Sequence, residues 1–194
     1  MVVWNEEDDL LSDAVSSGDL PAIRRYLAGN GSANPEIVWS PDGDHLEDSR
    51  LAEAVTYWKG ARGEDDLPDY RAFGPEELRS LLGHLAIIES AGEDFRYRLY
   101  GSYIASRYGE DRTGQRLSEK NTGMGRFFNA AYRAALARRD MLFTRHLPPR
   151  DSRVTACQRL LMPFARDGVA DVLVIANLAF APDSMRYGPF GQSE

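Results

Sequence analysis

The sequence has little that could cross-link it, hold a metal or cross a membrane. Its single cysteine, Cys157, cannot form an internal disulfide. Its three histidines, His45, His84 and His146, are scattered through a linker, a helix end and a strand, and no pair has metal-ligand spacing. The longest apolar run, VLVIANLAFA at Val172–Ala181, falls short of the roughly 18 to 20 residues that span a bilayer. The chain opens with the acidic MVVWNEEDD rather than with a basic region leading into an apolar one. These absences read as a soluble, cytoplasmic protein with no membrane role.

Catalytic signatures are missing too. There is no G-x-S-x-G elbow, no kinase glycine-rich loop with its lysine and no P-loop. The glycines of NTGMGRFF and YGEDRTG lack the flanking strand and helix of a phosphate cradle. The formal net charge of -7 argues against nucleic acid as a partner. The expectation is a protein that is not an enzyme.

What is present suffices for one core: 43% of the 194 residues are hydrophobic against 27% charged, enough for one domain with an appendage. From Asp8 to Gly31 two short helices are expected, with Leu10, Leu11, Ala14 and Val15 on one face and Ile23, Tyr26 and Leu27 on another, as a hairpin that packs on the main domain or on a partner. Gly29 to Asp48 has linker composition with one apolar foothold at Ile37, Val38 and Trp39. The spacing of Leu51, Ala54, Val55 and Trp58 predicts a helix. FGPEELRSLLGHL predicts another, with Gly74 as N-cap, Pro75 at the first position and His84 at its carboxyl end.

LAIIES and FRYRLY read as a hairpin, and alternation in the second strand sets Phe95, Tyr97 and Leu99 inward against Arg96, Arg98 and Tyr100. MGRFFNAAYRAALARRD gives the longest helix signal. Three further strands follow in MLFTRHL, VTACQRLLMPF and DVLVIANLAF, with Pro163 marking a bulge or an edge position. Two strands, helices, then three strands cannot be a βαβ parallel sheet, and the order reads as α+β with a five-stranded antiparallel sheet. Arg126, Arg133, Arg138, Arg139 and Arg145 make the region of the long helix locally basic, either a solvated face or a seat for an anion.

That order is the order of a PAS domain. Tyr57-Trp58, LPDYRAFGPEEL (67–78), FRYRLYGS with Arg98 and Gly101, YGEDRTGQRL (108–117) and RLLMPFARDG (159–168) together resemble the bacterial single-PAS family called PAS_5, over about residues 49 to 180. The flavin-binding motif Asn-Cys-Arg-Phe-Leu-Gln of other PAS domains is not matched, since Cys157 sits in a strand. No cofactor is named by the residues; some PAS domains hold haem through one histidine, and His146 would be the candidate here.

The resemblance implies a PAS-like sheet wrapped on one side by helices, with an N-terminal helical extension. Residues 1–48 would form the hairpin and linker, 49–182 the PAS domain and 183–194 a tail. In such a fold the small helices between Gly101 and Gly114 form a lid over a pocket, whose expected ligand-binding residues are Tyr97, Leu99, Ile104, Tyr108, Phe127, Phe128, Ala131 and Tyr132. Arg98 is expected to pair with Glu110, Asp111 or Glu119. The implied function is a non-catalytic sensory or regulatory protein that binds a small apolar or amphipathic molecule, a protein partner or both. Signal would leave through the sheet's exposed face or the amino-terminal helices. The alternative is a structural dimerisation or adaptor module with a filled core. A homodimer is expected in either case, because PAS domains commonly pair and because Leu10, Leu11, Ile23 and Leu27 need cover.

Overall fold

Burial alternates along the central strands, and the alternation fixes the layers. Leu160, Met162 and Phe164 belong to one buried cluster, whereas Leu161, Leu173 and Ile175 belong to another. A sheet whose odd and even positions are both buried must be covered on both faces.

A computed structural model describes residues 6–120, 122–149, 152 and 154–180; the expected tail lies outside them. Helices α1 (Glu6–Ser17) and α2 (Leu20–Gly29) lead into β1 (Ala33–Trp39). After α3 (Ser49–Arg62) come the hairpin β2 (Leu85–Ala91) and β3 (Asp94–Tyr100), the helices α4 (Ser102–Tyr108) and α5 (Gly123–Arg138), and the strands β4 (Leu142–Leu147), β5 (Ala156–Arg166) and β6 (Val169–Phe180). The fold is α+β, with an antiparallel sheet in the order β1-β4-β5-β6-β2-β3.

The sheet has six strands rather than five. The extra one is the apolar foothold of the linker: Ile37, Val38 and Trp39 pair with Thr144, Phe143 and Leu142 at the edge of β4. Pro35 falls where the register shifts between Ala33 and Glu36, a position that needs no ladder donor. Pro163 of β5 is tolerated for a related reason. β4 has already ended at Leu142↔Leu161, so that side of β5 is locally an edge, and the Pro163 carbonyl instead accepts a 2.7 Å hydrogen bond from the Trp58 indole.

Nor are the helices confined to one side. α5 and α1 with α2 cover one face, while Leu51, Ala54, Val55 and Trp58 of α3 pack with Leu160, Met162 and Phe164 on the other. The face expected to be open to partners is closed by the chain itself. The expected helix over FGPEEL is a 3-10 segment, Pro75–Leu81, kinked at Leu78. Leu78, at the kink, and Leu81 are both buried in the cluster on this face of the sheet.

The amino-terminal helices also find their cover at home. Leu11, Val15, Ile23 and Leu27 join the cluster around α5, and only Leu10 of the expected dimer residues is exposed. Acidic residues of the first turn of α1 meet the basic face of α5: Asp8 with Arg126 at 2.8 Å and Asp9 with Arg133 at 3.0 Å. Arg138 donates to the Ser16 carbonyl, Arg139 pairs with Asp66, and Arg145 pairs with Glu36 and Glu47. Arg126, Arg133, Arg138 and Arg145 therefore help to hold the extension and β1 in place, while Arg139 reaches the loop after α3.

One irregularity positions the site. Ile87 pairs with Leu99 but Ile88 pairs with Tyr97, so Arg98 is a bulged residue and alternation flips after it. Phe95 and Tyr97 stay inward as expected; Leu99 turns away, 36% exposed, and Tyr100 takes the inward side. Arg98 lies 3.6 Å from Glu89 on β2 and pairs with none of the three expected carboxylates, Glu110, Asp111 and Glu119. Next, Gly101 brings the chain so near the preceding loop that a Cβ there would stand 2.2 Å from the Gly83 carbonyl oxygen. Close approach is what requires this glycine. Gly109, at φ 82°, supplies the left-handed cap that ends α4.

Candidate functional site

Between the sheet, α4 and α5 lies a cavity of about 240 Å³. Each wall follows from a local rule. The bulge at Arg98 puts Tyr97 and Tyr100 on the same side, edge to face at 5.2 Å. Helical spacing puts Gly125, Phe128 and Tyr132 of α5 on the facing side. The inward positions of β4, β5 and β6 contribute His146, Arg159, Ile175 and Asn177. Tyr108 closes from α4, Glu110 and Arg112 from the segment after it, and Pro148, Pro149 and Ser152 from the β4–β5 connection.

Four of the eight residues expected at the pocket line it: Tyr97, Tyr108, Phe128 and Tyr132. Ile104, Phe127 and Ala131 are buried in the packed core behind it and do not reach the space. Leu99 borders a different groove on the far side of the strand, with Leu82, Leu85 and Gly101. The sequence alone does not single out Arg159, Arg112, Tyr100 or Asn177 as pocket residues, and offers His146 only as an axial ligand. One signal was available. In ACQRLLMPF the arginine shares the alternation of Cys157 and Leu161, a charge on the inward side of an apolar central strand.

The polar groups form a short chain. Arg159 Nη2 lies 3.5 Å from the Tyr108 hydroxyl, which lies 3.6 Å from Cys157 Sγ; the thiol in turn donates to Asn177 Oδ1 at 3.5 Å. The guanidinium carbon of Arg159 stands 3.5 Å from the centre of the Phe128 ring, and that of Arg112 stands 5.0 Å over Tyr97. Burial works against the charge of Arg159, but a guanidinium is too basic to give up its proton in a protein, so the group stays protonated.

Burial also raises the phenols of Tyr100, Tyr108 and Tyr132, which are neutral near pH 7. It lowers His146 to about 3, with the Arg159 charge adding to the effect. The imidazole is therefore neutral as well. Among the described residues no three His, Cys, Asp or Glu side chains gather as a metal site.

The family model PAS_5, described as PAS domain, matches residues 46–175. The chain belongs to that family. The match spans α3, the β2–β3 hairpin, α4, α5 and the strands that carry Arg159 and Ile175, so the cavity lies where the PAS sheet meets its helices. PAS domains are generally non-catalytic modules of sensing and regulation. No curated protein and no solved structure matches the chain. Among the described residues, no helix of this PAS protein is long and apolar enough to cross a membrane.

Proposed function

We propose that this protein is a cytoplasmic sensory or regulatory PAS protein that binds a small molecule in the cavity between the sheet, α4 and α5, and passes the change on through protein contacts. The cavity carries this reading. Protein interiors keep few voids larger than a water molecule, and a space of about 240 Å³ is close to the lower end of ligand sites, about 300 Å³. The adaptor alternative requires that space to be filled. A non-catalytic role agrees with the titration of the walls, because neither the raised phenols nor the lowered His146 is poised to exchange a proton near neutral pH.

Self-association remains part of the reading as a property common in the family, but it loses one of its supports. The apolar residues Leu11, Ile23 and Leu27 are covered within the chain and ask for no second copy.

Native mass spectrometry of freshly purified protein is the test. A bound small molecule that is lost when the space is filled by Ala86→Leu supports the sensor. Protein that arrives empty, and whose stability no small molecule in a metabolite panel raises, sinks it in favour of the adaptor.

A further inference from the structure

Arg159 is a buried cation with no carboxylate among the described residues to neutralise it. The residue is 5% exposed. Among the described residues its Nε and Nη1 have no hydrogen-bond partner, and Nη2 has the Tyr108 hydroxyl at the limit of hydrogen-bond distance. Among the described residues no carboxylate pairs with it. Glu110 is the only carboxylate in the described lining of the cavity, and it forms no ion pair with Arg159. The ring of Phe128 beneath the guanidinium offers cation–π attraction, which is far smaller than the hydration the group has given up.

The contrast with the other arginines is sharp. Arg126, Arg133, Arg139 and Arg145 each face a carboxylate in spite of being more exposed. A charge left unpaired on the wall of a cavity is placed for a counter-charge that enters the cavity.

We propose that Arg159 is the anion-binding end of this cavity and that its ligand is a small carboxylate on a flat apolar or aromatic body. This rests on the cavity being a ligand site. Among the described lining residues Arg159 and Arg112 outnumber the single carboxylate Glu110, and the His146 imidazole is neutral, so the balance there favours an anion. The unused donors of the planar guanidinium suit a carboxylate, which accepts from such forks in the plane. The rings of Tyr97, Tyr100 and Tyr132 supply faces for a flat body, while one face of Phe128 is taken by Arg159 itself.

The test is isothermal titration of the full chain with a panel of aryl carboxylates, phenylacetate, 2-naphthoate and indole-3-acetate, each set against its neutral carboxamide. The expected result is that at least one acid binds and that its amide binds about ten-fold or more weakly, the worth of a charge-assisted hydrogen bond. Arg159→Met should bring acid and amide to the same affinity. If that variant does not fold, the acid-to-amide ratio on the unmodified protein decides alone.

An amide that binds as well as its acid overturns the inference and leaves the cavity reading intact. A preference for the acid that survives Arg159→Met overturns the assignment to Arg159. Mass spectrometry of what the purified protein carries reads the same question a second way: an organic anion supports the inference, and a neutral molecule overturns it alone. No binding of any acid or amide, with nothing carried from purification, overturns the inference and the cavity reading together.

Discussion

The guanidinium carbon of Arg159 lies 3.5 Å from the centre of the Phe128 ring, with no carboxylate of the described chain beside it. An arrangement of this kind does not stabilise an empty protein. Replacing an unpaired buried charge by an apolar group of similar length removes a desolvation penalty that amounts to several kcal/mol per ion. Ligand-free Arg159→Met is therefore expected to unfold at the same urea concentration as the parent or a higher one. A loss of several kcal/mol would mean that the guanidinium is a structural member of the core.

Ala86 and Ala131 separate an empty space from a full one. Ala86 of β2 lines the cavity, opposite Tyr100 and Ile175 in the ladder, whereas Ala131 of α5 is buried in the core beside it. Ala86→Leu should enter the cavity with little loss of stability. Ala131→Leu should overpack and cost about 1 to 3 kcal/mol. Thermal unfolding of the two variants side by side checks this, and equal large losses would mean that the cavity is not open.

The register of β3 can be read from three substitutions. Tyr97→Ala removes a buried ring and should cost about 3 to 4 kcal/mol. Arg96→Ala, on the exposed side, should stay within about 0.5 kcal/mol. Leu99→Ala, beyond the bulge, should also cost well under the Tyr97 change and leave ligand binding alone. A Leu99 effect as large as that of Tyr97 would contradict the bulge at Arg98.

Strict alternation along FRYRLY keeps Leu99 inward, because a one-residue bulge has no signature in a strand whose odd and even positions are both bulky. The helices α3 and α5 were legible because each shows apolar residues at helical spacing, and the strands β2 to β6 because each is a short apolar or alternating run bounded by turn residues. β1 was not: apart from Ala33 only Ile37, Val38 and Trp39 are apolar in it, and Pro35 and the glycines around it read as linker. The basic residues misled for a physical reason. Arg126, Arg133 and Arg138 are neighbours on one helix, but their partners Asp8, Asp9 and Ser16 sit at the other end of the sequence. Arg159 stood alone among apolar residues, and isolation in sequence does not reveal isolation in space.

His146 should make the fold acid-sensitive. Burial and the neighbouring Arg159 charge hold its imidazole at about 3 in the folded state, against 6.5 unfolded. The unfolded chain therefore binds a proton more readily, and stability contributed above pH 6.5 is lost as pH falls below it. At about 1.4 kcal/mol per pH unit, some 2 kcal/mol should go between pH 6.5 and 5. His84, lowered by burial and by Arg50, adds in the same direction. Urea unfolding at pH 7 and pH 5 should show a smaller drop for His146→Phe than for the parent. Identical drops would mean that His146 is protonated in the folded protein or does not control the acid limb.

The amino-terminal segment gives the most demanding prediction. As a detachable hairpin, residues 1–45 could be removed with the PAS domain left folded. Their packing says otherwise: Leu11, Val15, Ile23 and Leu27 are buried in the same cluster as α5, and β1 completes the sheet beside β4. Burying four aliphatic side chains is worth about 1.5 to 3 kcal/mol each, an upper bound whose sum is comparable with the about 5 to 15 kcal/mol that holds a whole domain. The Asp8–Arg126 pair and the β1 ladder are lost as well. A chain beginning at residue 46 should therefore lack a cooperative urea transition or be insoluble, although the family match begins at that residue. A truncated protein with an unchanged midpoint would mean that α1, α2 and β1 are an ornament on an independent domain. If instead it unfolds as expected, adding the separate peptide 1–45 should restore part of the transition, because the docking face on α5 and the free edge of β4 would both be waiting for it.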